Sequence, residues 1–274
     1  MSDLRKPFFS GKLYPSDKLN LEREIAIFLE TAVQGKTLEN PKGIILPHDG
    51  YRNTGGVIAK ALTYFINCNI KNIIIFAPIH RITDKPLEIY NGSGYETPLG
   101  EIHTDLDLIE SLKNAGIEEQ YFGTEMHRME DYSIEIILPF LQEVFGRFKI
   151  LPILVGDISY SELSNLISRF IKADDFINSI FLSTVNLSKD WHYHEAIEHD
   201  KKVLSLIKSK QLVTLQKGFE KGDLRVCGIK AMSAMILAMH KLGYKQIDIT
   251  SYRNSGDIEG NKEKTSGYFS AVLY

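Results

Sequence analysis

The sequence predicts a single α/β domain, a mostly parallel central sheet flanked by helices. Three observations carry that expectation. Short, mainly apolar runs at residues 44–46, 73–76, 150–155 and 180–184 read as strands covered on both faces. Helical patterns fall between them, the rhythm of βαβ units with right-handed crossovers. No repeat, low-complexity tract or obvious linker divides the 274 residues, 43% of them hydrophobic, so one domain over 1–274 is the economical reading.

Taken in order, residues through Pro15 form an extended arm with turn chemistry at Ser10-Gly11 and Pro15-Ser16. Ser16 or Asp17 caps a helix over 19–33, with Leu21, Ile25, Phe28 and Leu29 on one face and Glu22, Arg23 and Glu24 off it. The strand at 44–46 ends at Pro47, which has no N–H for the ladder, and His48 and Asp49 follow at its carboxyl end. Gly50 allows a turn, and Thr54 caps a helix carrying Val57, Ile58, Ala61, Leu62 and Phe65. The next strand, 73–76, repeats the layout with Ala77, Pro78, Ile79 and His80.

Residues 87–102, LEIYNGSGYETPLGEI, alternate in short runs with turn residues and read as a hairpin-like excursion. Thr104 or Asp105 caps a helix to Asn114, closed by Ala115-Gly116. Residues 133–145 are amphipathic, and Pro139 inside them predicts a kink or an early break. After the strand at 150–155 come a helix from Ser161 to 171, the strand at 180–184, and a polar helix over 194–209. A buried helix over 228–242 and closing strands at 247–252 and 267–273 complete the chain.

Composition excludes several classes. A net charge of −3 and a pI of about 6.3 give no polyanion-binding surface, so nucleic acid is not expected as a partner. The start, MSDLRKPFFSGKLYPSD, lacks the apolar stretch of a secretory signal, and no segment reaches the roughly 20 apolar residues of a membrane span. Two cysteines make no disulfide framework. A cytoplasmic protein without membrane contact is expected.

Position separates the eight histidines. His48 and His80 each follow a strand end, where ligands bind in open α/β sheets. Two imidazoles converging on one crevice suit zinc, iron or copper, although a lone histidine there is more often a turn residue. Cys227, in RVCGIKA, precedes a helix whose dipole favours a thiolate; it reads as a soft metal ligand, a nucleophile or an inert buried thiol. Cys68 has no such setting. Asp257 in NSGDIEG, and His192 and His194 around Tyr193, are weaker candidates, equally good as turn and cap residues. H-E-x-x-H, Walker, G-x-G-x-x-G and G-x-S-x-G patterns are absent.

Several segments together resemble the MEMO family: RKPFFSGKLYP, LPHDGY for that family's PHAGY, APIH for its GPSH, YETPLGEI, YSIEIILPFLQ, LPILVGD, Cys227-Gly228, and NSGD followed by SGYFSAVLY. The series keeps the family's order from Arg5 to Tyr274. The resemblance implies a fold similar to LigB-type class III extradiol dioxygenases, with a two-histidine, one-cysteine pocket carried here by His48, His80 and Cys227. It implies a divalent or redox-active metal (Fe, Cu or Zn), a metal-dependent oxidoreductase, and a small-molecule or peptide ligand. Alternatively it implies a non-catalytic accessory protein in a radical-SAM-associated modification pathway, with radical-SAM and AMMECR-type partners. The chain departs from the family pattern at Tyr132, which replaces the histidine of E-H-S-I-E, and at Asn186 and Lys189, which replace the aspartate and histidine of S-S-D-L-S-H. Tyr132 as a proton donor and Lys189 as an anion-binding group, with Asn186 beside them, are the expected catalytic set around the metal. A third reading is a hydrolase with Cys227 as nucleophile.

Overall fold

In the computed structural model, residues 4–32, 38, 40–66, 68–81, 83–174 and 176–274 are described. The elements in chain order are β1 (Leu4–Arg5), α1 (Lys18–Thr31), β2 (Gly43–Leu46), α2 (Tyr51–Leu62), β3 (Asn72–Pro78), β4 (Leu87–Tyr90), β5 (Gly94–Thr97) and β6 (Gly100–His103). There follow α3 (Leu106–Asn114), β7 (Phe122–Gly123), α4 (Leu138–Phe145), β8 (Lys149–Val155), α5 (Tyr160–Phe170), β9 (Ser179–Thr184) and α6 (Tyr193–Lys208). The chain closes with α7 (Leu212–Glu220), α8 (Ile229–Lys241), β10 (Ile247–Asn254), α9 (Ser255–Glu259) and β11 (Gly267–Leu273).

Eight strands form one sheet in the order β10-β11-β2-β9-β3-β8-β4-β7. Its centre, β2-β9-β3-β8, is parallel, whereas β11 runs antiparallel to both β10 and β2, and β4 antiparallel to β8. The fold class expected from the sequence is therefore found, as a mixed but mostly parallel sheet between helices. Period-two alternation divides the buried side chains between its faces. Ile44, Leu46, Ile73, Ile75 and Leu182 pack with Ile25 of α1, Ile58 of α2 and Phe140 of α4. Ile45, Ile74, Phe76 and Phe181 pack on the other face with Leu163 of α5 and Met232 and Ile236 of α8. Each such fully buried side chain contributes about 1.5–3 kcal/mol of transfer free energy. Removing water from both faces is what makes the strands continuously apolar.

Local departures from expectation have local causes. The helix expected over 19–33 spans Lys18–Thr31, with the Asp17 carboxylate accepting from the Asn20 N–H at 2.9 Å; Val33 lies outside the described residues. Thr54 is not a cap: α2 starts at Tyr51, and the Thr54 hydroxyl donates back to the Asp49 carbonyl oxygen at 2.7 Å. Pro139 enters the first turn of α4 rather than kinking a longer helix, because a proline there forfeits no helical hydrogen bond. A 3-10 turn over Glu135–Ile137 precedes it. Only β5 and β6 of the 87–102 excursion make a hairpin; β4 joins the main sheet, and β1 extends the hairpin into a small sheet of order β1-β5-β6. The helix α7 has no counterpart among the expected elements, its pattern being weak and mostly exposed.

Under the small sheet, His127 is buried, with Nδ1 2.6 Å from the Tyr95 hydroxyl and Nε2 3.1 Å from the Glu88 carbonyl oxygen. Burial, opposed by the hydrogen bond with the Glu88 carbonyl and aided by nearby Arg5, brings its pKa down to about 3. The unfolded imidazole takes its proton near 6.5, so between about pH 6.5 and 3 the unfolded state holds more protons. Stability should therefore fall as pH falls through that window, by up to about 1.4 kcal/mol per pH unit from this group. Urea unfolding at pH 7 and 4.5 should show a shallower decline for His127→Gln than for wild type. Equal declines would mean that His127 is not held neutral.

Candidate metal centre

His48 lies two residues beyond the end of β2, Asn186 two beyond β9, and His80 two beyond β3. Because β9 runs between β2 and β3, the histidine-bearing strands are not neighbours, and Asn186 stands between the two imidazoles along the carboxyl edge of the sheet. Its amide Oδ1 accepts from the His48 N–H at 3.0 Å, and its Nδ2 donates to the His48 carbonyl oxygen at 3.0 Å. Its backbone exchanges hydrogen bonds of 3.1 and 2.9 Å with Cys227. One asparagine thus ties the β2 end to the segment that opens α8. Gly228, next to the cysteine, has φ +88°, and a Cβ there would sit 2.4 Å from the Thr184 carbonyl oxygen. Only glycine lets the thiol approach the sheet this closely.

Three donor atoms meet at this edge. His80 Nε2 is 3.1 Å from Cys227 Sγ, and Sγ is 3.5 Å from His48 Nε2. All three residues offer ligand atoms within 4.8 Å of one another, and they form the one such histidine, cysteine and carboxylate group found among the described residues. Behind His80, the Asp131 carboxylate is 2.9 Å from Nδ1 and also accepts from the Ser133 N–H at 2.7 Å. A proton held on Nδ1 by a carboxylate leaves Nε2 as the ligating atom. His48 is fully buried, and its Nδ1 has no hydrogen-bond partner among the described residues.

The electrostatics follow from these contacts. Burial pushes the Cys227 thiol up, but the two imidazoles outweigh it and bring the pKa down to about 6. Burial likewise opposes charge on His80, yet the hydrogen bonds to Asp131 and Cys227 raise it to about 10. Asp131, despite its burial, is held down at about 2 by His80 and Ser133. The contacts favour a thiolate on Cys227 and a protonated imidazole on His80 beside it.

Tyr132 stacks on His80 with ring centroids 4.9 Å apart and an interplanar angle of 16°, and its ring is 5.9 Å from that of His48. Phe9 of the N-terminal arm packs edge-on against it at 5.4 Å. Burial, reinforced by Cys227, Asp49 and Asp131, pushes its phenol up to about 12, so the hydroxyl keeps its proton at neutral pH. Lys189 is exposed beyond β9 and makes no hydrogen bond or ion pair with the cluster among the described residues. His192 and His194, with rings 6.3 Å apart, do not join the cluster. Asp257 accepts from Tyr193 and Lys262 near the surface, and Cys68 is a half-buried thiol raised by burial. Asp131 escaped the sequence reading; its signal was its place immediately before Tyr132, in a segment that resembles a family motif.

The profile of the Memo-like proteins matches residues 5–272. The chain belongs to the Memo-like family. A MEMO1 family protein of Thermotoga neapolitana is 29% identical over 98% of this chain and 99% of its own. A MEMO1 family protein of Methanosarcina mazei is 30% identical over 99% of each. Among solved structures, an uncharacterized protein from Escherichia coli K12 is similar in fold, with a TM-score of 0.50 over 85% of this chain and 99% of that one, at 10% identity. In this Memo-like protein the three sequence-nominated metal ligands come from segments up to 179 residues apart and converge at one edge of the sheet.

Proposed function

We propose that this Memo-like protein holds iron, copper or zinc on His48, His80 and Cys227 and acts as a metal-dependent oxidoreductase of dioxygenase-like, LigB-type ancestry. The observation that carries the reading is the convergence of two imidazole nitrogens and one sulfur within 4.8 Å at the carboxyl edge of the sheet. The donor set fits: nitrogen with a single thiolate suits borderline and soft transition metals, and a thiol already lowered to about 6 is ready to ligate. His48 presents Nε2 to Cys227 Sγ at 3.5 Å, while its buried Nδ1 has no hydrogen-bond partner among the described residues. When bound, the ion would supply Lewis acidity or one-electron chemistry.

The chain's own residues do the rest. Asp131 fixes the tautomer of His80, and Asn186 fixes the backbone of His48 against that of Cys227. Tyr132, protonated and stacked on His80, is placed to donate a hydrogen bond to a substrate oxygen. Lys189 is assigned no step. Protein purified without oxygen should carry about one such ion per chain by elemental analysis. Failure to retain iron, copper or zinc after separate loading with each would sink the proposal. Asp131→Asn should weaken affinity for the bound metal about 10- to 100-fold, as loss of such a carboxylate partner does elsewhere, read by competition with a chromogenic chelator.

One observation favours a second reading. The chain Asp131–His80–Cys227 is also that of a cysteine nucleophile with an oriented base. His48, on the same sulfur, has no role in that chemistry, so the metal reading accounts for more of the cluster. In an accessory protein serving radical-SAM and AMMECR-type partners, His80→Ala would leave partner capture intact.

A further inference from the structure

Beside the metal centre, a groove of about 440 Å³ runs along the wall that carries Cys227 and Gly228. It is bounded by the ends of β3 and β8 and by the opening of α8. Its lining is divided by chemistry. Ile79, Val155, Phe219, Val226 and Ile229 supply an apolar bed, while Arg81, Asp157 and Lys230 supply charge. Two of those charges cancel, because Lys230 Nζ donates to Asp157 Oδ1 at 2.6 Å. Arg81 is differently placed: its guanidinium reaches the Glu130 carbonyl oxygen only at 3.4 Å, and it forms no ion pair with a carboxylate among the described residues. Of the two cationic side chains that line the groove, Arg81 is thus the one without an ion-pair partner among the described residues, and it follows the metal-ligand candidate His80 by one position.

We propose that this groove binds a small organic acid, its single carboxylate on Arg81 and its apolar body along Ile79, Val155 and Phe219, so that the far end lies toward Cys227. The inference deepens the metal-centre reading and rests on it for the direction in which the substrate reacts, but not for the binding itself. Size and charge select the class. A cavity of this volume takes a small ligand and not a folded partner. A single guanidinium without an ion-pair partner matches a monoanion, and its planar fork matches the two oxygens of a carboxylate. The apolar bed rejects a fully polar acid, which would leave its hydroxyls without partners.

The probes are benzoate and hexanoate, each paired with its uncharged amide, titrated by calorimetry into the full chain with and without metal. The acids should bind at least 10-fold more tightly than their amides in both states, and Arg81→Gln should erase that difference. Phe219→Ala should weaken acid and amide alike, because it trims only the apolar bed. Equal binding of acid and amide, no binding of either, or an acid preference that survives Arg81→Gln would overturn the proposal. A preference seen only with metal present would also overturn it, since the ion and not Arg81 would then be the anchor. Metal content measured on the same samples separates the two ideas. Metal retained without acid preference sinks the groove alone, and acid preference in protein that retains no ion after loading sinks the metal reading alone.

Discussion

Glu135→Ala should destabilise the protein by about 3–5 kcal/mol, the cost of leaving a buried cation without its partner. Glu135 is almost wholly buried and accepts four hydrogen bonds, all from the N-terminal arm. Arg5 Nη1 donates to Oε2 at 2.7 Å and the Phe8 N–H to the same oxygen at 3.0 Å. The Phe9 N–H and the Tyr14 hydroxyl donate to Oε1 at 2.7 and 2.9 Å. Removing the carboxylate takes the ion-pair partner from the buried Arg5, which keeps its hydrogen bonds to the His127 and Asp131 carbonyl oxygens, and leaves two backbone N–H groups and a phenol without their acceptor. Urea denaturation should show the loss, and the arm should become open to limited proteolysis at low denaturant. The effect reaches the candidate metal centre, because Phe9 packs on Tyr132 and Tyr132 on His80. Glu135→Gln keeps two lone-pair positions but loses the charge, and should fall between wild type and alanine. An alanine variant with the wild-type urea midpoint would show that the arm is held by its apolar contacts alone.

That arm marks the boundary of what the sequence discloses. Strand positions are legible because burial on both faces writes itself as an apolar run, and the four central strands lie within a residue or two of where the runs place them. Pro47 and Pro78 mark the strand ends, and so the sequence alone puts His48 and His80 at the carboxyl edge. Strand order is not legible. Nothing local in residues 179–184 says that they pair between β2 and β3, since hydrogen-bonded neighbours along a sheet are set by long-range packing. Asn186 consequently reads as a lost aspartate in a pocket, whereas its side chain clamps the backbone of His48. Asp131 and Glu135 are hidden for a related reason. An acidic residue next to aromatic and apolar ones gives no sign of whether it faces solvent or a buried cation, and their partners His80 and Arg5 lie 51 and 130 residues away.

Cys227→Ser is expected to take the metal content from about one ion per chain to near zero after dialysis against a chelator, while leaving the fold in place. Serine keeps the size and position of the side chain, so the closely packed Gly228 turn and the backbone pairing with Asn186 are undisturbed. What changes is the donor: a hydroxyl does not ionise near neutral pH and is a poor partner for soft and borderline metals. His48→Ala would also remove a ligand, but it empties a fully buried site and confounds metal loss with a cavity. The thiol gives an independent readout on the wild type. Burial alone would suppress its reactivity, yet His48 and His80 hold its pKa near 6, whereas burial raises Cys68 above its ordinary value. In chelator-treated protein at pH 7, iodoacetamide should therefore label Cys227 well before Cys68, and the rate should fall as the pH drops through about 6. Loading with metal should protect Cys227 and leave Cys68 unchanged. A serine variant that retains the ion, or a Cys227 labelled at the same rate with and without it, would place the metal elsewhere and leave the Asp131–His80–Cys227 chain to be explained as a nucleophile.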